Sequence, residues 1–406
     1  MAFRKPDMKE KSSCLWKCQR RGALRVLHVG KFYPPAAGGI ENFLGDLLPA
    51  LNRKDVSAAA LVHEIRQKQE PPDSGETIVF RVPCYGTLLY APISPAFPFA
   101  MKRAIQAFQP DILHFHVPNT SAFWALLLSI AGTVPWVVHW HADVIPSVID
   151  RRMALAYQFY RPIEKLFLRR AHSIIATSQS YLDTSNVLVE FKDKCHIIPL
   201  GLDADRLKKP DDNRLAWAES VWGRPDGRIL VIGRLTYYKG HDVMLDAAAF
   251  LPNARILIVG NGERESSLQK QIQSLDLSGN VSLLGALPEL ELHALIMTCD
   301  CLCLPSVERT EAFGMVLLEA MRYGKPVVAS NIAGSGIGWV VKDGVTGFLT
   351  PPGDPVLLAG SLKTLFDQPE LKLQMGRSAL ERFLNVFQID HVAQDIILLY
   401  YRLSEK

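Results

Sequence analysis

Short, almost wholly apolar runs alternate with longer stretches of helical periodicity along the chain. The runs in the first half are LRVLHVG, AAALVH, DILHFHV, WVVHWH, SIIATS and CHIIPLG, and those in the second half are RILVIG, ARILIVG, VSLLG, CLCLP and PVVAS. Apolar runs of this length, separated by helical segments, are typical of βαβ units in parallel sheets that are covered on both faces. The pattern therefore predicts an α/β protein.

The two halves of the chain begin alike. Residues 25–32 read RVLHVGKF and residues 228–235 read RILVIGRL, so each half opens with an apolar strand that ends at a glycine followed by a cation. A glycine-containing loop and a helix follow in each case. Because such folds bind ligands beyond the carboxyl ends of their strands, we expect two Rossmann-like domains that face each other across a cleft.

The length of 406 residues is sufficient for two such cores. The boundary is expected in the polar segment 202–226, which contains a proline, several aspartates and the sequence Gly-Arg-Pro. The predicted organisation is a basic, disordered tail over 1–23, a first domain over 24–205, a second domain over 206–384, and a final helix over 385–406 that returns to the first domain.

Composition and charge narrow the function classes. The formal net charge of +4 is small, so it does not indicate a nucleic-acid partner. The seven cysteines show no disulfide spacing, and we interpret Cys299, Cys301 and Cys303 as small buried side chains rather than a metal or redox site. The residues before Leu24 are basic and polar without the apolar core of a signal peptide, which favours a cytoplasmic location.

The stretch from Val117 to Trp140 is apolar enough to resemble a membrane-spanning segment. Gly132 and Pro135 interrupt it, however, and both residues disfavour a continuous helix. We therefore predict a helix over 121–130 followed by a buried strand over 136–140.

The most informative motif is Glu311-Ala-Phe-Gly-Met-Val-Leu-Leu-Glu319, which follows the run CLCLP. The pattern predicts a helix over 313–323 that starts near Gly314. A helix start offers free backbone N–H groups and a positive dipole end, which suit a diphosphate. Glu311 lies just before this start and Glu319 lies about one and a half turns inside it. The alternative interpretation makes Glu311 a helix cap and Glu319 a solvated side chain.

A second motif, Gly233-Arg234-Leu-Thr-Tyr-Tyr-Lys239-Gly240, follows the first strand of the second half. It places two cations at the carboxyl end of that strand. Arginine and lysine aimed at a departing diphosphate stabilise the developing negative charge without a metal. Two ordinary surface cations in a turn are the alternative.

A third motif, Gly38-Gly39-Ile-Glu-Asn, follows the first strand, and paired glycines let a backbone approach a ligand closely. A fourth, Val-His139-Trp-His141-Ala-Asp, ends a strand. His139 and His141 share one strand face, as do His114 and His116. A zinc site is conceivable, but no Glu or Cys joins these histidines at a recognised metal spacing. We therefore interpret His114 and His116 as core residues and His141 as a substrate contact.

Together and in this order, the four motifs resemble the retaining glycosyltransferase family 4, whose members have the two-domain GT-B fold. The resemblance extends over nearly the whole chain from Leu24 onward, and the Glu-x7-Glu stretch is its most specific part, followed by GRLTYYKG. Further similar segments are ATS at 176–178, HIIPLGLD at 196–203, VGNGE at 259–263 and DGVTG at 343–347.

The resemblance implies a role for each matching position. Glu311 is expected to hold hydroxyls of a donor hexose, Glu319 the ribose, and His141 the sugar near the reacting carbon. The diphosphate is expected between Arg234 and Lys239 and the backbone at the helix start. The implied catalytic residues are Glu311, His141, Arg234 and Lys239. The implied binding residues are Gly38, Gly39, Gly233, Gly260, Gly262, Phe313, Gly314, Met315, Val316 and Glu319.

The same resemblance implies a reaction that retains the anomeric configuration and needs no side-chain nucleophile, metal or other cofactor. The donor is expected to be a nucleotide diphosphate sugar. One departure is the segment AGSGIGW at 333–339, where the family often has two glycines followed by a glutamate. This variant is similar to that of bacterial polysaccharide-assembly members, which favours GDP-mannose over UDP-hexoses.

The expected acceptor is a saccharide or a lipid-linked glycan. The segment 151–170 carries six cations and four interleaved aromatic residues against the single acid Glu164. Such a helix can lie on the inner face of a membrane or pack on its own domain with a solvated basic face. Other functions that we considered are a nucleotide-sugar epimerase or phosphorylase of the same fold, a non-catalytic sugar-nucleotide binding protein, and a zinc hydrolase.

Overall fold

The computed structural model describes residues 22–36, 38–64, 77–88, 91–144 and 151–404, with only the backbone described for 151–154. The basic tail predicted over 1–23 lies outside these ranges except for Gly22 and Ala23. Two parallel sheets with helices on both faces account for most of the described residues, as the alternation of apolar runs predicts.

The first sheet is built by the first half of the chain. Its strands are β1 (Leu24–Val29), β2 (Val56–Glu64), β3 (Ile78–Pro83), and then, after the small hairpin of β4 (Thr87–Leu88) and β5 (Ala91–Pro92), β6 (Ile112–Val117), β7 (Trp136–Trp140), β8 (Ser173–Ala176) and β9 (Cys195–Ile197). In the described part the order is β3-β2-β1-β6-β7-β8-β9, and all pairs are parallel. The direction of winding therefore reverses between β1 and β6.

The helices of the first half are α1 (Gly39–Asn52), α2 (Phe97–Phe108), α3 (Ser129–Gly132), α4 (Arg151–Arg170) and α5 (Gln179–Thr184). The helix predicted over 121–130 is wrong as a single α-helix. A 3-10 helix runs over Thr120–Leu127 and the short α3 follows it. The Asn119 side chain accepts the Ser121 N–H and the backbone is extended at Leu128, so the segment is divided locally.

The second sheet contains β10 (Gly227–Ile232), β11 (Ala254–Val259), β12 (Val281–Leu283), β13 (Cys301–Leu304), β14 (Val327–Ser330) and β15 (Gly347–Thr350). Its order is β12-β11-β10-β13-β14-β15, again all parallel. The winding reverses between β10 and β13. Its helices are α6 (Asp212–Trp222), α7 (His241–Ala248), α8 (Glu265–Ser274), α9 (Glu289–Thr298), α10 (Met315–Arg322), α11 (Ile337–Val340), α12 (Pro355–Asp367) and α13 (Pro369–Arg382).

The chain returns to the first domain at its end. A π-helical turn over Phe383–Phe387 follows α13, and α14 (Ile389–Ser404) then packs against α1. The Tyr400 ring of α14 is fully buried and its hydroxyl lies 2.5 Å from Nδ1 of His114 in β6. Leu202 and Gln388 form an isolated bridge, so the outgoing and returning segments run side by side.

Buried side chains fill the space between sheets and helices in both domains. Cys299, Cys301 and Cys303 are among them, and burial raises the pKa of each thiol. These cysteines pack as small apolar residues, as interpreted from the sequence. No helix in the ranges described is long and apolar enough to cross a membrane.

Candidate active site

The predicted motifs lie close together, at the points where each sheet reverses its winding. Loops that follow β10 and β13 carry the cation motif and Glu311, and the loop that follows β1 carries Gly38 and Gly39. In open α/β sheets the loops on either side of such a reversal leave a crevice that is the usual ligand site. Two of these crevices face each other here, because a Cβ built on Gly39 would lie 3.2 Å from Cγ of Met315.

The Lys239–Glu311 pair joins the two loops of the second domain. Nζ of Lys239 lies 2.5 Å from Oε2 of Glu311, and the Ser306 hydroxyl donates to the same oxygen at 3.2 Å. Burial disfavours the Lys239 cation, but the Glu311 carboxylate outweighs that effect and raises the lysine pKa. Both of these bonds use Oε2, and Oε1 of Glu311 has no hydrogen-bond partner among the described residues, so it can accept from a ligand hydroxyl.

Helix α10 presents an open N-terminus directly after Glu311. It begins at Met315, and Gly314 before it has φ 81° and ψ 59°, a left-handed conformation that suits glycine. No described side chain caps the first turn. The N–H groups of Met315 and Val316 therefore remain available to an anion, together with the helix dipole.

Phe313 contributes its backbone rather than its ring to this turn. The ring is buried and packs against Trp339 and Phe387, with centroid separations of 6.4 and 6.2 Å. The predicted binding role of Phe313 is thus restricted to main-chain groups. Its ring fixes the loop between Glu311 and α10 to the core.

Arg234 is exposed at the tip of β10, and its Nη2 donates to the Tyr238 hydroxyl at 3.2 Å. Lys31, which follows β1 in the first domain, is a cation that sequence reasoning missed as a site residue. The pKa of the Lys31 ammonium group is lowered, mainly by burial. Glu41 opposes this shift, and the nearby Arg234 cation adds to it. The charges of Lys31 and Arg234 therefore interact across the cleft. The repeat of glycine plus cation in the two halves was the signal that could have identified Lys31.

The glycines predicted to line the nucleotide site hold three loops in close contact. A Cβ on Gly260 would lie 2.0 Å from the carbonyl oxygen of Gly233, and one on Gly262 would lie 2.4 Å from that of Leu235. A Cβ on Gly233 itself would lie 3.2 Å from Cε of Lys239. Gly260 and Gly262 have no room for a side chain, so glycine there keeps the loop after β11 against the cation motif, and a side chain at Gly233 would displace Lys239.

Gly38 has an extended backbone with φ 165° and ψ 154°, and it precedes α1. A Cβ on Gly38 would lie 2.1 Å from Oε2 of Glu41. Burial raises the pKa of Glu41, while the N–H of Glu41 itself, Lys31 and Arg234 lower it. The N-terminus of α1 thus holds an internal carboxylate beside the cleft.

Glu319 faces the junction of the two domains. Its side chain is 14% exposed, and Nη2 of Arg206 lies 3.9 Å from Oε1. Arg206 also bonds Asp46 of α1, with Nε 2.9 Å from Oδ1. Burial raises the pKa of Glu319 to about 7 and that of Asp46 to about 6, with Arg206 opposing the shift in both cases. Sequence reasoning missed Arg206 and Asp46, since nothing in their local pattern marks an interdomain contact.

A second contact between the domains involves Arg309, two residues before Glu311. Its guanidinium donates to the carbonyl oxygens of Gly334, Thr184 and Tyr181 at 3.1, 3.0 and 3.1 Å. It also pairs with Asp143 at 3.1 Å. Thr184, Tyr181 and Asp143 belong to the first domain, so Arg309 fixes the Glu311 loop to that domain.

The segment 333–339, which lacks the family's glutamate, is part of this contact. A Cβ on Gly334 would lie 2.3 Å from Oγ1 of Thr184. The Ser335 hydroxyl donates to the Glu311 carbonyl at 2.5 Å, and the Gly336 N–H donates to the Ala312 carbonyl at 2.7 Å. Small residues and a hydroxyl therefore hold the Glu311 backbone from this side.

His141 follows β7 at the edge that faces the cleft, and it is buried with no partner for Nδ1 within the described ranges. It stacks on His139 with a centroid separation of 4.3 Å and an interplanar angle of 7°. Nitrogen atoms of His116, His139 and His141 lie within 4.8 Å of one another, as do those of His28, His114 and His116.

A zinc ion requires lone pairs that converge on one point at about 2.0–2.1 Å in a tetrahedral arrangement. The His139 and His141 rings are nearly parallel, so their lone pairs cannot converge without rotation. Nitrogens of His28 and His116 and of His116 and His141 are 3.0 and 2.9 Å apart and already form hydrogen bonds. The arrangement fits neutral, hydrogen-bonded imidazoles better than a metal site.

Family models and similar proteins indicate the same family for this chain. Residues 38–201 match the family described as glycosyl transferase 4-like domain, and residues 218–382 match glycosyl transferases group 1. The chain is 31% identical over 391 residues to O-antigen chain mannosyltransferase C of Escherichia coli, covering 94% of this chain and 99% of that relative. It is also 31% identical over 369 residues to D-rhamnosyltransferase WbpZ of Pseudomonas aeruginosa, with coverages of 90% and 92%.

Solved structures share the same fold. Sucrose-phosphate synthase from Thermosynechococcus elongatus superposes with a TM-score of 0.77 at 22% identity, covering 94% of this chain and 99% of that one. HepE of Anabaena in complex with UDP superposes with a TM-score of 0.73 at 23% identity, with coverages of 93% and 100%. The two-domain arrangement predicted from the sequence is confirmed by these similarities.

We predict that Glu319→Gln changes how stability depends on pH. The usual pKa of the group is 4.5 and the folded value is about 7. Between these values the unfolded chain is charged and the folded protein is protonated, so the unfolding free energy falls as pH rises, and the penalty is complete above pH 7. Glutamine removes this component, which we expect to be roughly 1–3 kcal/mol for a partly exposed group.

Urea unfolding at pH 5 and pH 8 measures this effect. The Gln variant should gain stability relative to the natural protein between pH 5 and pH 8, and the exposed Glu370→Gln serves as the matched control. An equal pH dependence in the natural protein and in Glu319→Gln would contradict the prediction.

Proposed function

Since the chain belongs to the family 4-type glycosyltransferases of the GT-B fold, we propose that it transfers a hexose from a nucleotide diphosphate sugar to a saccharide or lipid-linked acceptor during glycan assembly, with retention of configuration. The observation that carries the proposal is the Lys239–Glu311 pair beside the uncapped start of α10, facing the start of α1 across the cleft. Names of the relatives, an O-antigen mannosyltransferase and a rhamnosyltransferase, support the glycan context.

The proposed binding mode follows from the charges. The diphosphate lies against the N–H groups of Met315 and Val316, with Arg234 and Lys239 on its other side. Glu311 accepts donor hydroxyls through Oε1, and the ribose diol takes the place next to Glu319 that Arg206 approaches at 3.9 Å. Fixed N–H groups and cations in a partly buried cleft stabilise a departing diphosphate more strongly than water does.

The proposed reaction breaks the bond between the anomeric carbon and the phosphate oxygen. The acceptor oxygen forms its bond to the same face of that carbon, and its proton passes to the leaving phosphate oxygen. Side chains and helix N–H groups supply positive charge at the leaving group, so we propose that transfer requires no metal. The non-catalytic binding function considered above gains no observation in its favour, because Glu311, Lys239 and the open helix start are all brought together.

An apolar and cationic surface of the first domain supports docking on a membrane. Exposed apolar side chains lie on the β4–β5 hairpin, α2, the 3-10 helix and α4, namely Leu88, Phe99, Trp124, Leu127, Phe159 and Ile163. Elements of this surface contact one another, and the Phe123 and Tyr160 rings join the 3-10 helix to α4 at 5.3 Å. Lys102, Arg103, Arg161 and Arg169 are exposed on the same elements.

The acidic residue of α4 does not counter these cations, because Glu164 is buried and burial raises its pKa to about 7. Exposed aromatic and aliphatic side chains flanked by cations match the chemistry of an anionic lipid surface. We therefore propose that the first domain docks on the cytoplasmic face of a membrane, where a lipid-linked acceptor would be presented to the cleft.

We predict that Lys239→Ala and Glu311→Ala each lower kcat/KM for hexosyl transfer by at least about 100-fold, because each removes a charged contact to the donor. Folding is checked by circular dichroism, and Lys270→Ala, an exposed lysine of α8, should retain full activity. Activity should persist in EDTA. Natural turnover in either variant would contradict the assigned roles, and donor conversion without any acceptor would favour an epimerase.

We predict that GDP-mannose stabilises the protein more than UDP-hexoses do, since the O-antigen relative is a mannosyltransferase. A ligand present at 100 times its Kd stabilises the folded state by about 2.7 kcal/mol, which a thermal-shift assay detects. A larger shift with a UDP-hexose would refute the mannose assignment and leave the transferase assignment intact.

We predict that the protein sediments with vesicles containing phosphatidylglycerol at low salt and that the double variant Leu127→Ser, Phe159→Ser binds them about tenfold or more weakly. Each removed side chain is 75% or 72% exposed in the free protein and contributes apolar contact at the lipid surface. Phe250→Ser, 54% exposed in the second domain, is the matched control. Equal binding by the double variant, or none by the natural protein, would rule out this surface.

A further inference from the structure

Five buried imidazoles form a row on one face of the first sheet. His28 in β1 is in register with His114 in β6, and His116 is in register with His139 in β7. His141 follows two residues after His139 and so points to the same face. Each residue is at most 3% exposed.

The imidazoles in this row are neutral. Burial is the main cause that lowers the pKa of each one, to about 3 for His116 and well below the usual value for the other four. A neutral imidazole has one N–H donor and one lone-pair acceptor. In a chain of such rings, the direction of one hydrogen bond therefore fixes the direction of all the others.

Four members of the row and Tyr400 form a continuous chain. It runs from Nε2 of His141 to Nδ1 of His116 at 2.9 Å, then from Nε2 of His116 to Nδ1 of His28 at 3.0 Å. Nε2 of His28 lies 3.5 Å from the Tyr400 hydroxyl, which lies 2.5 Å from Nδ1 of His114. The chain thus connects the cleft edge to the final helix of the protein.

The Tyr400 hydroxyl has one proton and two possible acceptors, so its choice sets the direction. The contact to Nδ1 of His114, at 2.5 Å, is much shorter than the contact to Nε2 of His28, at 3.5 Å, and O–H donors make shorter hydrogen bonds than N–H donors do. The hydroxyl therefore donates to His114 and accepts the longer contact from Nε2–H of His28. It follows that His28, His116 and His141 all carry their proton on Nε2.

We infer that Tyr400 is a positioning residue that, through this chain, makes His141 present an Nδ1 lone pair to the cleft, where it accepts a hydrogen bond from a hydroxyl group of the donor sugar. The inference rests on the proposed function for the identity of the ligand. Nδ1 of His141 is buried and has no partner in the part of the chain that the structure describes, so a ligand hydroxyl satisfies it.

The hydrogen-bond chain fixes the donor and acceptor of each bond, but its inner end is closed to solvent. Tyr400 and His114 are both fully buried, and Nε2 of His114 has no hydrogen-bond partner among the described residues. A proton that left His141 along the chain would thus have no exit. Fixing the tautomer of His141 is the remaining role, as a second group commonly does for functional histidines.

Nitrogen NMR of the full chain labelled with 15N-histidine tests the tautomer in the absence of any ligand. His141 is assigned by loss of its signals in His141→Gln. We expect protonated Nε2 and unprotonated Nδ1 in the natural protein and a mixture of tautomers in Tyr400→Phe, which removes only the hydroxyl. Tyr401→Phe, on the same helix and 48% exposed, should leave the spectrum unchanged. Protonated Nδ1 in the natural protein, or an unchanged tautomer in Tyr400→Phe, would overturn the inference.

Kinetics with GDP-mannose test the consequence for catalysis. Loss of one oriented hydrogen bond should lower kcat/KM about fivefold in Tyr400→Phe and leave Tyr401→Phe unaffected. In a His141→Ala background, Tyr400→Phe should have no further effect, whereas a general packing defect would lower activity equally in both backgrounds. Additive losses would refute the positioning role. Absence of all transfer would count against the proposed function, and the NMR result would still decide the tautomer.

Discussion

The ion pair between Lys239 and Glu311 is the contact on which the second half of the cleft depends. Lys239 follows β10 and Glu311 follows β13, the two strands between which the sheet reverses its winding. The two loops at this reversal share a backbone hydrogen bond, from the Val307 N–H to the Tyr238 carbonyl at 2.8 Å. The pair bridges them, Ser306 adds a bond to the same carboxylate oxygen, and Gly260 lets the next loop rest on the first.

Two arginines connect the loops of the second domain that carry Glu311 and Glu319 to the first domain. Arg206 links Asp46 of the first domain to Glu319 of α10, and Arg309 links Asp143 of the first domain to the loop that carries Glu311. One carboxylate of the first domain thus pairs with each arginine. Since both arginines reach across the cleft, the position of one domain affects the surroundings of Glu311 and Glu319 together. A movement between the domains would alter both ends of the proposed donor site.

Local pattern was sufficient to predict the sheets and the start of α10. These features depend on residues close in sequence, such as the left-handed Gly314 before an apolar helix. Features that depend on three-dimensional approach could not be predicted in this way. Arg206, Arg309 and Tyr400 act on residues more than a hundred positions away, and only the folded chain shows which carboxylate, carbonyl or imidazole each one meets.

The helix predicted over 121–130 illustrates a different limit. Apolar periodicity there could not distinguish an α-helix from a 3-10 turn, because the outcome depends on the Asn119 side chain and on the break at Leu128. Phe313 shows the same limit within the site. Its place in the motif was predictable, but the direction of its ring depends on Trp339 and Phe387, which come from later parts of the chain.

The free cleft balances its cations with its own carboxylates. Lys239 is paired with Glu311, and Glu41 raises the pKa of the Lys31 ammonium group on the opposite side, against burial. Like charges repel more strongly in a partly buried site than in water, so these carboxylates reduce the repulsion among the cations of the cleft. A diphosphate can then take over part of the carboxylates' role, since it brings negative charge to the same cations. Because Glu311 has one oxygen bound internally and its other oxygen has no partner in the described ranges, it can hold Lys239 in place and, in the proposed function, still accept a hydroxyl from the sugar. In the proposed function the same carboxylate therefore holds Lys239 and orients the donor, which is consistent with its contacts to a lysine and a serine and with a backbone that is held by Ser335.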